Sequence, residues 1–186
     1  MQKAKDIIDH EDVLEWMTDQ FQLIHAGDRE EAKVLYLSGI SACSKGYQIH
    51  VYQTGGSGKG KSHLMETVIE LFPIDKRVSL AYLTGKALYY LPDVKKKTLE
   101  NSILYIDEFL DSDDAIKTIM AITSNAPTKP KNLATEKDKK GHMEASEHCA
   151  PGNMTVWCTA VLLPKRGEFQ NRFLVINPDE SEEADK

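Results

Sequence analysis

The chain has 186 residues, 41% hydrophobic and 28% charged, with a formal net charge of −6 at pH 7. That length suits one domain with a sizeable core and leaves no room for two large ones. The composition is that of an ordinary globular protein: no apolar run approaches the roughly 18 residues that span a bilayer, and residues 1–6 lead into an amphipathic pattern, not an export signal, so a cytoplasmic location is expected. The negative charge excludes a surface that coats nucleic acid all over, but not a local basic element.

Over residues 9–25, Val13, Leu14, Met17, Phe21 and Ile24 recur at helical spacing, with Asp9 as N-cap and Gly27 as stop. Asp28 caps a second predicted helix, which carries Ala32, Val34, Leu35, Leu37 and Ile40 up to the turn at 44–46. Residues 47–53 (YQIHVYQ) read as a strand that runs into Gly55, Gly56, Ser57, Gly58, Lys59, Gly60, Lys61 and Ser62. Those eight residues fit G-x-x-x-x-G-K-[S/T] at every fixed position, the pattern of a nucleotide-binding P-loop. A triphosphate must lie against main-chain N–H groups, and glycine lets the chain approach that closely while turning sharply. Lys61 is expected to reach the β/γ-phosphates and the Ser62 hydroxyl to hold Mg²⁺. A helix over 63–72, with Leu64, Val68, Leu71 and Phe72 on one side, stops at Pro73 and aims its N-terminal dipole at the phosphates. His63, in its first turn, is counted with the loop as a nucleotide-binding residue, although its side chain is expected to pack or face solvent.

Further along, 78–83 reads as a strand, 85–91 as a short helix closed by Pro92, and Lys95, Lys96 and Lys97 as a solvated charge run. Residues 103–108 (ILYIDE) are four apolar residues, as a buried parallel strand demands, followed by two acids. In P-loop enzymes one acid holds Mg²⁺ and a second polarises the attacking water, so Asp107 is assigned to the metal and Glu108 to the water. A helix over 111–125 turns Ile116, Ile119, Met120 and Ile122 inward. Between 126 and 153 the pattern breaks at Pro127, Pro130 and Pro151, and a hairpin with Lys137, Lys139 and Lys140 at its tip is the economical reading. Five lysines lie between 129 and 140 against Glu136 and Asp138, so this locally basic element either grips DNA or is a surface loop. Residues 154–160 (MTVWCTA) form a strand with Thr159 near its end, 165–172 a polar turn or helix, 173–176 a final strand and 179–186 an acidic tail. The three cysteines, Cys43, Cys149 and Cys158, contain no C-x-x-C pair and read as reduced thiols; His142, His148 and Cys149 match no zinc spacing.

The expected fold is α/β: a P-loop NTPase with a parallel sheet covered by helices on both faces and ligands at the strands' C-terminal ends. The boundaries are 1–46 for helices packed on the core, 47–178 for the ATPase core and 179–186 for the tail, one domain in all. The order of P-loop, Asp-Glu strand, strand ending in Thr159 and then Asn171, Arg172 and Phe173 resembles an AAA+ or related helicase-type ATPase. That resemblance implies that Thr159 senses the γ-phosphate and that Arg172, with Arg166 as the fallback, is offered to a neighbouring subunit's nucleotide. Such an arginine is worth about 10³ to 10⁵ in rate where it has been assigned. More specifically, residues 79–90 (SLAYLTGKALYY), the 103–108 strand, Gln170 to Phe173, and Asp179, Glu180 and Ser181 resemble the helicase-like ATPase domain that accompanies DNA primases in mobile elements, phages and some bacteria. The likeness spans 36–181 and extends more distantly to MCM and superfamily 3 helicases.

These families imply ATP, Mg²⁺, a homo-oligomeric ring or partial ring (a hexamer among them), and single-stranded DNA gripped by the hairpin before the sensor strand. The sequence departs from them in carrying no primase catalytic domain, no zinc ribbon and no residues for a helical lid, so the expectation is that either a separate primase or replication protein works beside it or the lid is not needed. Two other readings stand beside the motor. One is a nucleotide-dependent interaction module, such as a helicase loader, with slow hydrolysis. The other is a small-molecule kinase, disfavoured because the chain has only four arginines, Arg29, Arg77, Arg166 and Arg172, for a phosphate-binding lid.

Overall fold

The computed structural model describes residues 10–44, 46–56, 61–84, 87–95, 99–124, 131–137, 143–149 and 153–178, with the main chain alone at 92–95, 131–137, 143–147 and 149. In chain order the elements are α1 (Val13–Gln22), α2 (Arg29–Ser41), β1 (His50–Thr54), α3 (Lys61–Ile69), a 3₁₀ turn (Ile74–Lys76), β2 (Arg77–Tyr82), α4 (Ala87–Lys95), β3 (Ile103–Glu108), α5 (Asp113–Ile122), β4 (Lys131–Lys137), β5 (Met143–Cys149), β6 (Thr155–Ala160), α6 (Gly167–Gln170) and β7 (Phe173–Ile176).

Five strands form one sheet in the order β2-β3-β6-β1-β7, with every neighbouring pair parallel, while β4 and β5 form a separate antiparallel hairpin. Parallel neighbours need a crossover between them, and the helices supply it. Strand alternation then divides the core in two. Val51, Ile103, Tyr105 and Trp157 meet α1, α2 and α3 through Met17, Phe21, Leu35, Leu64 and Met65. Tyr52, Leu104, Ile106, Val156 and Cys158 meet the other layer through Leu88, Ile116, Ile119 and Phe169. Burial on both faces explains why the central strands read as nearly continuous apolar runs.

Several element ends differ from the sequence expectation. The N-cap of α1 is Asp12, whose carboxylate accepts from the Glu15 N–H at 3.0 Å, and Ile24 is exposed. Asp9 lies outside the described residues. Asp28 precedes α2 but makes no side-chain cap; its φ of 51° is left-handed and its carboxylate turns to His25 instead. Helix α2 buries Ala32, Leu35, Ser38 and Gly39 and leaves Leu37 and Ile40 exposed. The Trp157 indole N–H donates to Ser38 Oγ at 2.8 Å, and that hydroxyl donates to the Ile49 carbonyl at 2.6 Å, so a polar contact sets the helix's rotation. Strand β1 begins at His50, not Tyr47, and α4 continues through Pro92 to Lys95. The predicted hairpin is present between α5 and β6, leaning on α4 where the Tyr90 and His148 rings lie 4.4 Å apart. Its tip, with Lys139 and Lys140, lies outside the described residues, as do the Lys137 side chain and the acidic tail. Among the described residues no helix is long and apolar enough to cross a membrane.

Candidate functional site

Strand β1 delivers the chain to Gly55 at the C-terminal edge of the sheet. The Gly55 φ is 152°, and a Cβ there would stand 3.0 Å from Pro178 Cδ, so both the backbone angle and the space call for glycine. Gly56 follows; Ser57, Gly58, Lys59 and Gly60 lie outside the described residues. Lys61 opens α3 and turns back, its ammonium donating to the carbonyls of Gly55 at 2.8 Å and Gly56 at 2.5 Å. The predicted phosphate lysine is therefore held at the mouth of the loop by the loop itself.

Ser62 and Asp107, 45 residues apart, meet directly: Ser62 Oγ donates to Asp107 Oδ1 at 2.5 Å. Tyr105, two residues earlier on the same face of β3, donates its phenol to the same oxygen at 2.7 Å. Burial, reinforced by the neighbouring Asp107 carboxylate, pushes the Tyr105 phenol far above its usual range, so it remains a donor. Asp107 is half-buried, whereas Glu108 is exposed at the end of the strand, the next side chain in an alternating pattern. Thr159 on β6 lies between β1 and β3; it is buried, and its hydroxyl donates to the main-chain carbonyl of Asp107. The Phe109 N–H returns a bond to the Thr159 carbonyl at 2.9 Å. Thr159 thus ties the acid strand to β6.

The donor set suits a hard divalent cation. A serine hydroxyl and a carboxylate converge at hydrogen-bond distance, the oxygen ligands that Mg²⁺ takes beside phosphate. Among the described residues no group of three or more His, Cys, Asp or Glu side chains is arranged to hold a metal ion.

Beyond Ser62 the structure reveals contacts that sequence reasoning missed. His63 is exposed, and its Nδ1 stands 2.6 Å from Nδ1 of His25, with the rings stacked at 4.8 Å. His25 Nε2 in turn stands 2.6 Å from Asp28 Oδ2, and both of these residues are buried. One proton between the two Nδ1 atoms joins the rings, and His25 Nε2 bonds the Asp28 carboxylate. The connection between α1 and α2 is so fastened to the first turn of α3. The spacing of 38 residues between the histidines carries no motif, and Asp28 reads locally as a helix cap.

The two candidate arginines part company. Arg166 pairs with Asp113 at the start of α5, on the same edge of the sheet as the acids. Arg172 precedes β7 and sits at the opposite edge, where its guanidinium donates to the Met120 carbonyl at 3.1 Å. A strand of four residues at about 3.3 Å each separates that edge from the loop, roughly 13 Å. The half-buried Arg172 and the exposed Asn171 line a polar surface cavity of about 370 Å³ with Gln48, His50, Thr123 and Ser124. Arg172 does not enter the site of its own chain.

A comparison with curated proteins found no match. The family model described as the MTBMA_p00010 P-loop domain matches residues 1–186, the whole chain. With the loop, its helix and the acid strand assembled on a five-stranded parallel sheet, the chain belongs to the MTBMA_p00010 P-loop domain family and is a nucleotide-binding P-loop domain.

Proposed function

We propose that the chain is a Mg²⁺-dependent ATPase acting on DNA in replication, a helicase-like motor that works as an oligomer on single-stranded DNA beside a primase or another replication protein. The observation that carries the catalytic part is the 2.5 Å contact between Ser62 and Asp107, which joins the loop serine to the acid strand. In this reading Ser62 and Asp107 hold Mg²⁺, which neutralises charge on the β- and γ-phosphates when bound. Lys61 leaves the Gly55 and Gly56 carbonyls for phosphate oxygens. Glu108, exposed beside Asp107, orients the attacking water and takes its proton. Supporting the DNA-acting part are the hairpin inserted before β6 and the lysines of its sequence. Supporting the oligomer is Arg172, on the edge of the sheet away from its own loop and so available to a neighbour's nucleotide.

Turnover measured with and without single-stranded DNA tests this reading. Hydrolysis should be stimulated by the DNA, and Glu108→Gln should bind nucleotide while losing about 10²-fold or more in rate, the scale of a lost general base. No hydrolysis in a concentrated sample, or an unaffected Glu108→Gln, refutes it.

A second reading, the nucleotide-dependent interaction module, is favoured by one contact. His25 and His63 tie the α1–α2 connection to the first turn of α3, so a shift of that turn on nucleotide binding would pass to the N-terminal helices. Sedimentation with and without ATP separates the two: a ring favours the motor, and a lasting monomer that binds a replication partner favours the module.

A further inference from the structure

Gln53 is fully buried near the end of β1, and neither its amide Nε2 nor its Oε1 has a hydrogen-bond partner among the described residues. An unpaired buried amide is costly, and an apolar side chain of the same length would fill the space without that cost. Its surroundings indicate what the amide serves. Gln53 pairs in register with Thr159, and because Cys158 pairs with Ile106, Asp107 comes next on β3. Gln53, Thr159 and Asp107 therefore occupy one rung across three neighbouring strands. Alternation turns Gln53 to the side of Val51, where Leu64 and Met65 of α3 pack and where Tyr105 and Ser62 reach Asp107.

The other polar groups of this row are committed to one another. The hydroxyls of Ser62, Tyr105 and Thr159 all donate to Asp107, and the Lys61 ammonium donates to Gly55 and Gly56. Gln53 is the member left over. We propose that Gln53 is a positioning residue of the nucleotide site, whose amide becomes paired only in the Mg–nucleotide-bound state. The inference rests on the Mg–nucleotide reading above. When Ser62 and Asp107 give up their mutual bond for the metal and Lys61 leaves the loop carbonyls for phosphate, oxygen acceptors are released at the same strand ends, and the Gln53 amide pairs with them and holds the rearranged loop.

Gln53→Met tests this, since methionine matches the length of glutamine and makes no comparable hydrogen bonds. The full chain is melted without ligand and with a non-hydrolysable ATP analogue plus Mg²⁺, and the analogue's Kd is measured by titration. The expected result is a melting temperature about 2–4 °C higher without ligand, together with an affinity about tenfold lower and a smaller ligand-induced rise. Wild-type affinity in the variant overturns the proposal, and so does an unliganded melting temperature that fails to rise, because the amide would then be paired before nucleotide arrives. Gln53→Leu repeats the measurement if the methionine variant does not fold, and failure of both to fold overturns the proposal by making the amide a fixed part of the core. A wild-type chain that the analogue does not stabilise refutes the Mg–nucleotide reading itself, a distinct result.

Discussion

His50 opens β1 with its ring inside the protein, its Nδ1 accepting from the Val156 N–H at 3.2 Å. Burial, aided by the nearby Arg172 charge, lowers its pKa from 6.5 to about 4. The folded chain therefore keeps His50 neutral while the unfolded chain takes up a proton below about pH 6.5, so stability is full above that pH and falls as pH drops towards 4. At 1.36 kcal/mol per unit the contribution is at most about 3–4 kcal/mol. Urea midpoints at neutral pH and near pH 4.5 should show a smaller acid loss in His50→Gln than in the wild type; equal losses would exclude His50 as the cause. The residues legible from sequence were of another kind. Ser62 and Asp107 were expected to act together because phosphate and metal chemistry demands set residue types at set places, and the fold brings their side chains to 2.5 Å. His25, Asp28 and Gln53 belong to no such pattern, and their roles depend on which side chains the fold brings within 3 Å.

Helix α2 shows how an element can be correct in kind and rotated in detail. Its sequence offers Leu37 and Ile40 as core residues, yet the buried stripe runs through Ala32, Leu35, Ser38 and Gly39. The Phe72 ring, flanked by Tyr36 at 5.6 Å and Trp157 at 6.1 Å, fills the space that a Cβ on Gly39 would need. Gly39→Ala should therefore destabilise the chain by about 1 kcal/mol: overpacking costs about 1–3 kcal/mol, against the roughly 1 kcal/mol that alanine gains over glycine in a helix. Thermal or urea unfolding checks the sign, and a more stable variant would show that the ring yields freely. Periodicity alone found the helices and strands because apolar spacing reports amphipathicity. It misplaced the start of α1, whose cap is Asp12 where Asp9 was expected. Pro92 was a poor stop because α4 continues past it.

For the whole molecule, the sheet order decides what can meet. Because β6 lies between β1 and β3, the loop serine and the acid strand face each other across one strand, with Thr159 beneath them. Because β7 runs parallel to β1, Arg172 just before it lies at the end of the sheet away from the loop, where it donates to the Met120 carbonyl of α5. If the oligomeric reading is right, mixing Lys61→Ala with Arg172→Ala subunits should restore part of the hydrolysis that each lacks alone, because some interfaces then combine an intact loop with an intact arginine. Absence of any rescue would show that each site is completed within its own chain. The sequence by itself determined the α/β class, the parallel sheet, the P-loop and the two acids, since hydrophobic period and phosphate chemistry are local properties of the chain. Only the tertiary structure decided the strand order, the separation of Arg166 from Arg172, the His25–His63 contact and the unpaired amide of Gln53. Those depend on which distant segments become neighbours, and neighbourhood across 38 to 119 residues is set by the burial of whole faces, not by any short pattern.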